Sequence, residues 1–254
     1  MQDRGQSPPQ ASAHRQPSYQ PLYLQIRALL VAQLDAGEWK PGEAIPSEHE
    51  LAARFRVSPG TVRKAIDALA TDNLLVRRQG KGTFVATLTG EHPSRVRFLR
   101  VRRDDGVDEY PASRLLDVRR AKATGDVAKR LQLRSGEGVL QLRRVLTFAG
   151  APAVLDDIVL PGALFRGLTK ARYDAWRGPL YGFFEAEFGV RMLSAHERIK
   201  AVAADKATAA LLGIDEGEPL LAVERVTFTY GDRPVELRRG LCVTRHCHYF
   251  NALG

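Results

Sequence analysis

The chain has 254 residues, of which 44% are apolar and 26% are charged, a composition that excludes disorder as its main state. No run of about 18 apolar residues is present, and the first residues lack the apolar core of a secretory signal. The formal net charge of +9 favours an anionic partner such as nucleic acid, although many basic proteins bind none. The two cysteines cannot form a disulfide framework, which favours a reducing cytoplasm.

The length and the changes in composition along the chain predict two domains. Residues 1–18 are rich in Gln, Ser, Pro and Ala and are predicted to be a disordered arm. Residues 19–87 form the first predicted domain, and residues 88–94, with Gly, Pro and few apolar side chains, are predicted to be a linker. Residues 95–254 are long enough for a second domain with its own core.

Two helices are predicted at the start of the first domain. Pro21 suits the first position of a helix that Gly37 closes. Its apolar stripe is Ile26, Leu29, Leu30 and Leu34. Ser47 and Glu50 have the spacing of a capping box that starts a second helix. The residues of this helix that should face inward are Leu51, Ala52 and Phe55.

A third helix follows after a tight turn at Arg56 and Val57. Ser58 is predicted to cap it and Pro59 to occupy its first position, and Val62, Ala65, Ile66 and Leu69 are predicted as its buried face. A helix, a short turn and a second helix make the helix-turn-helix arrangement, whose second helix enters the major groove of DNA.

The positive charge of the first domain is concentrated on this third helix and on the segment after it. Between Arg54 and Lys81, seven basic residues face two acidic ones. The third helix exposes Gly60, Thr61, Arg63, Lys64 and Asp67. The runs Leu75–Arg78 and Thr83–Val85 are predicted strands around a Gly-Lys-Gly tip, which forms a basic wing. A helical bundle with a basic surface is the alternative, but cap, turn, basic face and wing in this order favour DNA binding.

The stretch GEWKPGEAIPSEHELAARFRVSPGTVRKAIDALATDNLLVRRQGKGTFV closely resembles the winged helix-turn-helix of the GntR family of bacterial transcription regulators. The resemblance implies that Ser58 contacts a phosphate and that Thr61 and Arg63 contact operator DNA, as do three wing residues. Family members usually carry arginine where this chain has His49, so the operator sequence is expected to deviate from the family pattern. The predicted DNA-binding residues are His49, Ser58, Gly60, Thr61, Arg63, Lys64, Arg78, Gly80, Lys81 and Gly82.

The second domain contains an internal repeat at an offset of 81 residues. Eight positions match, from Ala128 with Ala209 to Gly150 with Gly231. Each copy is predicted as a helix, a Gly-Glu turn, a strand, a glycine turn and a second strand. The predicted elements are 125–131, 139–148 and 153–160 in one copy, and 206–212, 220–230 and 235–243 in the other. We expect an antiparallel sheet with pseudo-twofold symmetry and helices on one face, with a further helix at 180–188.

The repeats and the helix between them resemble the effector-binding domain of the HutC branch of the GntR family, known as UTRA. The segments that carry the resemblance are GEGVLQLRRVLTFAGAPAVLDDIVLP, LYGFFEAEFGV and GEPLLAVERVTFTYGDRPVELRRG. The resemblance implies an α+β chain, in which a winged helix-turn-helix precedes an antiparallel sheet domain similar to chorismate lyase. It also implies a homodimer, most often a repressor, whose affinity for DNA changes when a small, often anionic effector binds. No cofactor is expected.

Arg144 is the main candidate for binding that effector. Strand alternation puts it on the face of Leu140, Leu142 and Leu146, where an arginine needs an anionic partner. The partner is either a carboxylate or phosphate of the ligand or an internal carboxylate, Asp156 or Glu236. The predicted effector-binding residues are Arg144, Asp156, Arg225, Glu236 and Tyr249. Leu146 and Ile158 replace polar residues of phosphosugar-binding members, which makes the cleft more apolar.

The expected function is that of a cytoplasmic, dimeric regulator on a palindromic operator, and three other functions compete with it. Cys242, His246, Cys247 and His248 suggest a metal site, but they lack the second ligand pair of zinc sites, and an edge strand beside the cleft is favoured. An enzyme is disfavoured because we find no nucleophile–base pair or phosphate loop. A nucleoid-type DNA protein without an effector is the remaining alternative.

Overall fold

The computed structural model describes residues 20–87 and 98–251; the predicted arm at 1–18 and the predicted linker at 88–94 lie outside them. The first domain contains three helices followed by a two-stranded antiparallel hairpin. These elements are α1 (Leu22–Asp35), α2 (Glu48–Phe55), α3 (Pro59–Thr71), β1 (Leu75–Arg78) and β2 (Gly82–Val85). This is the predicted winged helix-turn-helix.

Local sequence cues explain the boundaries of α2 and α3. Ser47 and Glu50 form the predicted reciprocal capping box, which satisfies two backbone donors at the start of α2. Arg56 adopts a left-handed conformation (φ 55°) that ends α2, and Ser58 caps α3 two residues later. The short turn fixes the angle between the two helices, and the buried residues of both helices belong to one hydrophobic core.

The predicted buried face of α3 is confirmed, because Val62, Ala65, Ile66 and Leu69 are all fully buried. Two predictions for α1 are wrong. Leu29 is 50% exposed, because α1 turns a narrower face to the core, through Ile26, Leu30 and Leu34. Pro21 is the residue before the helix and not its first residue.

The second domain is built on a six-stranded antiparallel sheet in the order β4-β5-β6-β9-β8-β7. Its elements, with the small strands β3 and β10, are β3 (Val101–Arg103), β4 (Ala112–Lys122), α4 (Gly125–Arg130), β5 (Gly138–Phe148), β6 (Ala151–Pro161), α5 (Lys170–Ala175), α6 (Leu180–Phe188), β7 (Ser194–Ala203), α7 (Lys206–Leu212), β8 (Pro219–Phe228), β9 (Pro234–Val243) and β10 (Cys247–Tyr249). Strands β3 and β10 pair separately. No helix in the described ranges is long and apolar enough to cross a membrane.

The strand order confirms the predicted pseudo-twofold repeat and extends it. Each half is a strand, a helix and a hairpin: β4-α4-β5-β6 in one and β7-α7-β8-β9 in the other, and the halves meet where β6 pairs with β9. The outer strands β4 and β7 were not predicted.

The expectation that the helices lie on one face of the sheet is wrong. Helices α5 and α6 pack on the face of Leu140 and Leu142, whereas α4 and α7 pack on the opposite face, against Val139 and Val145. Successive strand residues point to opposite faces, and β5 buries Val139 and Val145 on the second face as well, although Arg143 between them is exposed. Both faces of the central strands are therefore partly covered, with α6 across the face that carries Arg144.

Candidate nucleic-acid interface and central cleft

The N-terminus of α3 presents two hydroxyl groups and an open backbone. The Ser58 hydroxyl accepts a hydrogen bond from the Thr61 amide at 3.2 Å and lies 2.9 Å from the Thr61 hydroxyl. A Cβ on Gly60 would meet only the Ser58 hydroxyl, at 3.9 Å, so packing within the chain does not require this glycine. The first turn of α3 therefore leaves its backbone accessible at Gly60.

Glu48 ties α2, α3 and the wing together. Its carboxylate accepts a hydrogen bond from Nε of Arg63 at 2.8 Å and lies 3.0 Å from Nη2 of Arg77 on β1, a nitrogen that also contacts Asp67 at 2.8 Å. The hydrogen bond from Arg63 lowers the pKa of Glu48. Arg63 nevertheless keeps 62% of its side chain exposed. It is therefore oriented near the start of α3 while it remains accessible.

The wing is a tight hairpin whose tip exposes a lysine. Gly80 and Gly82 have positive φ angles of 69° and 106°, which only glycine adopts without strain. They present Lys81 between them, exposed to solvent. The guanidinium of Arg78 lies 4.6 Å from the centre of the Phe84 ring, a cation–π contact that fixes it along the wing.

The predicted DNA-binding residues lie on three neighbouring elements: the start of α2, the start of α3 and the wing. His49 is exposed next to Glu48, and Lys64 is exposed next to Arg63. Because Glu48 contacts both α3 and β1, these elements form one surface, which we call the basic surface.

A cleft lies between α6, the inner face of the sheet and the segment around residues 98–111. It adjoins a second space beside β3 and Tyr249, and we call the two together the central cleft. Residues lining both spaces are Phe98, Leu99, Leu146, Arg225 and Arg238. Of the predicted effector-binding residues, Arg144 lines the first space, Asp156 and Tyr249 the second, and Arg225 both.

Asp156 is the shared partner of the buried Arg144 and the partly buried Arg238 in this cleft. It accepts a hydrogen bond from Nε of Arg144 at 2.9 Å and another from Nη1 of Arg238 at 3.2 Å. Burial raises the pKa of Asp156, but the charges of Arg238 and Arg144 outweigh burial and hold that pKa below its usual range. A Cβ on Gly240 would lie 3.0 Å from Oδ1 of Asp156, so the glycine makes room for the carboxylate. The partner of Arg144 in the structure is therefore an internal carboxylate, that of Asp156.

Glu236 anchors a second group of contacts. It does not line the cleft itself, but its carboxylate accepts hydrogen bonds from Arg238 at 2.5 Å, from Thr227 at 2.9 Å and from the Tyr181 hydroxyl at 2.5 Å. Burial raises the pKa of Tyr181, which keeps its hydroxyl protonated as a donor.

Arg225 and Tyr249 meet at a third carboxylate, Glu197 on β7. Arg225 donates to it through Nε at 2.6 Å, and the Tyr249 hydroxyl donates to it as well. Burial and this hydrogen bond raise the pKa of Tyr249 to about 12. Arg225 also donates to the backbone carbonyl of Phe98 at 2.6 Å. The three guanidinium groups that line the cleft are thus paired with three carboxylates, of which Asp156 lines the cleft as well.

Sequence reasoning missed three residues of this network. Arg238 follows Glu236 by two residues on β9, so strand alternation could have placed it on the same face. Tyr181 and Glu197 come from α6 and β7, and nothing in the local pattern indicated that they reach the cleft.

The cysteine- and histidine-rich end of the chain is divided between elements. Cys242 lies on β9 and Cys247 on β10, both buried, and burial raises the pKa of Cys242 to about 12. Nδ1 of His248 lies 2.7 Å from Asp104. Among the described residues, no group of three or more potential ligands could hold a metal ion. Strand β10 pairs with β3 and not with the large sheet, and Tyr249 brings it to the cleft.

Comparison with known families agrees with this two-part arrangement. Residues 22–85 match the family described as bacterial regulatory proteins, gntR family, and residues 108–248 match the UTRA domain. The chain belongs to the GntR family and carries a UTRA domain. GntR/UTRA proteins combine a DNA-binding domain with a domain for a small effector, and the relatives of this chain are transcriptional regulators, not enzymes.

Individual relatives of this GntR/UTRA regulator span nearly the whole chain. It is 30% identical over 226 residues to the histidine utilization repressor of Pseudomonas putida, covering 86% of each chain. It is 29% identical to the HTH-type transcriptional repressor NagR of Bacillus subtilis, covering 82% of this chain and 84% of that one. A crystal structure of the ligand-binding domain of a Bordetella bronchiseptica protein, assigned to the GntR family of transcriptional regulators, is 49% identical. It covers 62% of this chain and 98% of that one, with a TM-score of 0.61.

Proposed function

We propose that this GntR/UTRA regulator binds a palindromic operator as a homodimer, and that a small anionic metabolite in the central cleft changes its affinity for that operator. The exposed cations at the start of α3 and on the wing are the observation that supports the DNA-binding part. Two recognition helices of a dimer enter successive major grooves about 34 Å apart, which gives the operator its twofold symmetry. In this arrangement His49 and Ser58 border the recognition helix, Gly60 lies in its first turn and Gly82 completes the wing.

Arg63 is the residue we assign to base contacts. An arginine near the N-terminus of a recognition helix reaches the base edges and forms a bidentate pair with guanine. Glu48 orients its guanidinium at 2.8 Å, and the half-buried Thr61 and the exposed Lys64 flank it for contacts with the phosphate backbone.

Substitution Arg63→Ala tests the assignment. We expect the dissociation constant for the operator to rise about 5- to 150-fold, which corresponds to about 1–3 kcal/mol. The measurement is fluorescence anisotropy on a duplex selected by this protein from a randomised pool. Arg119→Ala, which removes an exposed arginine from β4 of the second domain, is the matched control and should leave binding unchanged. Equal affinities for the Arg63 variant and the native protein would refute the assignment.

The guanidinium groups of Arg144, Arg225 and Arg238 support an anionic effector. All three line the cleft, and carboxylates or phosphates are the groups that guanidinium pairs with best. Asp156, which lines the cleft, then accepts a hydrogen bond from another polar group of the metabolite, whereas Glu236 acts on the site through Arg238 and Tyr181. A ligand changes DNA affinity only if it binds two arrangements of the protein unequally, and such coupling is typically about 1–3 kcal/mol.

Thermal-shift measurements with a panel of inorganic phosphate, small carboxylates and phosphorylated metabolites test this part. A binding compound should raise the melting temperature and alter operator affinity. Arg144→Met keeps much of the side-chain volume without the charge. In this variant we expect both effects to require at least tenfold more ligand, whereas operator binding by the ligand-free protein is retained. A full response of this variant would overturn the role of Arg144. The absence of any responsive anion in the native protein would favour a DNA protein without an effector.

A further inference from the structure

The end of the wing is held by buried side chains of the second domain. After β2, the carbonyl of Ala86 accepts a hydrogen bond from Nη2 of Arg191 at 2.6 Å, and the Thr87 hydroxyl donates to Glu185 at 2.8 Å. Arg191 and Glu185 form an ion pair at 2.9 Å, with 6% and 2% of their side chains exposed. We call this group the junction. It fixes the point where the DNA-binding domain ends.

Helix α6 connects the junction to the central cleft. Tyr181 and Glu185 are four residues apart and therefore share one face of the helix. Tyr181 donates to Glu236 at 2.5 Å and lines the cleft, while Glu185 holds Arg191. A shift of α6 that follows a change at Tyr181 therefore moves the partner of Arg191.

Strand β8 makes a second connection, through Tyr230. The Tyr230 ring packs in the hydrophobic core of the first domain, and its hydroxyl accepts a hydrogen bond from Nη1 of Arg191 at 2.7 Å. Tyr230 lies two residues beyond the end of β8, the strand that carries Arg225. Arg225 in turn donates to the Tyr181 hydroxyl at 3.3 Å. Both routes from the cleft end on the same guanidinium.

We propose that Arg191 is the positioning residue that couples the central cleft to the DNA-binding domain. The inference rests on the proposed function, because it states how occupancy of the cleft reaches the basic surface. A buried ion pair resists gradual separation, since each charge needs its partner or water. The junction therefore has two arrangements, closed or broken, and an element with two states is what coupling between distant sites requires. A ligand that replaces the present hydrogen-bond partners of Tyr181 or Arg225 favours the broken arrangement. In that arrangement the junction no longer holds the end of the wing.

A double-mutant cycle tests this without knowledge of the effector. Tyr181→Phe is the probe, because it removes the hydroxyl that joins α6 to Glu236 and leaves the ring in place. Hydrogen exchange of peptides covering residues 82–87 is the readout, because the amides of Val85 and Ala86 donate to the carbonyls of Glu43 and Leu74. We expect Tyr181→Phe to speed exchange there about fivefold or more, the lower range of typical coupling. In an Arg191→Met background the same substitution should add less than about twofold.

The matched control is Arg172→Met, which removes the exposed partner of Glu187 on α6, 2.5 Å away, but leaves the junction intact. In that background Tyr181→Phe should keep its full effect. If Arg191→Met does not fold, Tyr230→Phe replaces it, because it removes one hydrogen bond of Arg191 and keeps the ring in the core; the probe's effect should then shrink at least twofold.

Two outcomes would overturn the inference. One is an effect of Tyr181→Phe that is equal with and without Arg191, and the other is unchanged exchange at residues 82–87 in the native background. Binding of the selected duplex is measured on the native protein, the two single variants and the double variant. It separates failure of the inference about Arg191 from failure of the proposed function. Intact sequence-specific binding with an additive cycle refutes Arg191 alone, whereas absence of such binding in the native protein refutes the proposed function.

Discussion

Replacing Asp156 with asparagine is expected to lower the free energy of unfolding by about 3–5 kcal/mol, the cost of removing one partner from a buried ion pair. Asp156 is 2% exposed and accepts hydrogen bonds from both Arg144 and Arg238. Asparagine keeps the volume of the side chain but not its charge. The two guanidinium groups would then face each other with one carboxylate fewer between them. Urea denaturation of the native and variant proteins measures the difference.

The loss should depend on pH in a defined direction. The pKa of Asp156 in the folded protein lies below its ordinary value of 3.8. The carboxylate therefore contributes its full stabilisation above about pH 4–5, and this contribution disappears as the pH falls through the folded-state pKa. Native protein and Asp156→Asn should differ fully at pH 7 and converge on acidification.

Asp157→Asn provides the matched control, because it changes the same charge one residue further along β6. Asp157 faces the other side of the sheet and pairs with the half-exposed Arg143 at 2.7 Å. Exposed pairs contribute about 0–1 kcal/mol, so this variant should be nearly as stable as the native protein. Equal losses of unfolding free energy in the two variants would mean that Asp156 does not stabilise the protein through the buried network.

The first domain could be predicted from its sequence because its structure depends on short-range features. Capping at Ser47 and Ser58 and the turn at Arg56 each involve residues within a few positions, so the helix boundaries followed directly. Leu29 was the exception among the apolar residues. Its helical spacing fits a buried stripe, but the width of the face that α1 buries is set by the neighbouring helices.

The second domain was predictable only where its halves share sequence. The matched hairpins were found, whereas β4 and β7 were missed because they are edge strands with largely exposed side chains. The helices on the second face were missed because β5 was interpreted through one face only.

The cleft shows the same limit for individual side chains. Alternation along β5 correctly predicted that Arg144 is buried. It could not choose between Asp156 and a ligand, because both satisfy the same electrostatic requirement. Tyr181 and Glu197 reach the network only through packing of α6 and pairing of β7.

Operator affinity should fall about 10³-fold or more between 50 and 200 mM salt. This loss is typical when 6–10 phosphates are contacted, because each neutralised phosphate releases a condensed counterion. On each protomer the exposed cations of the basic surface and the adjacent turn include Arg56, Arg63, Lys64, Arg78 and Lys81, which are five charges. A dimer presents twice that number, which suffices for a dependence of this size even when Arg63 contacts a base. Anisotropy titrations at four or more salt concentrations give the slope of log K against log salt.

The slope also identifies the phosphate contacts one at a time. Removing one contact reduces its magnitude by about 1, so Lys64→Gln, which acts twice in a dimer, should reduce it by about 2. Lys200→Gln, an equal charge change on the exposed edge strand β7, should leave the slope unaltered. Affinity that varies little with salt, or equal slopes for the Lys64 and Lys200 variants, would contradict docking through the basic surface. A reduction near 1 instead of 2 would mean that only one recognition helix engages the duplex, which contradicts the proposed symmetric dimer while retaining DNA binding.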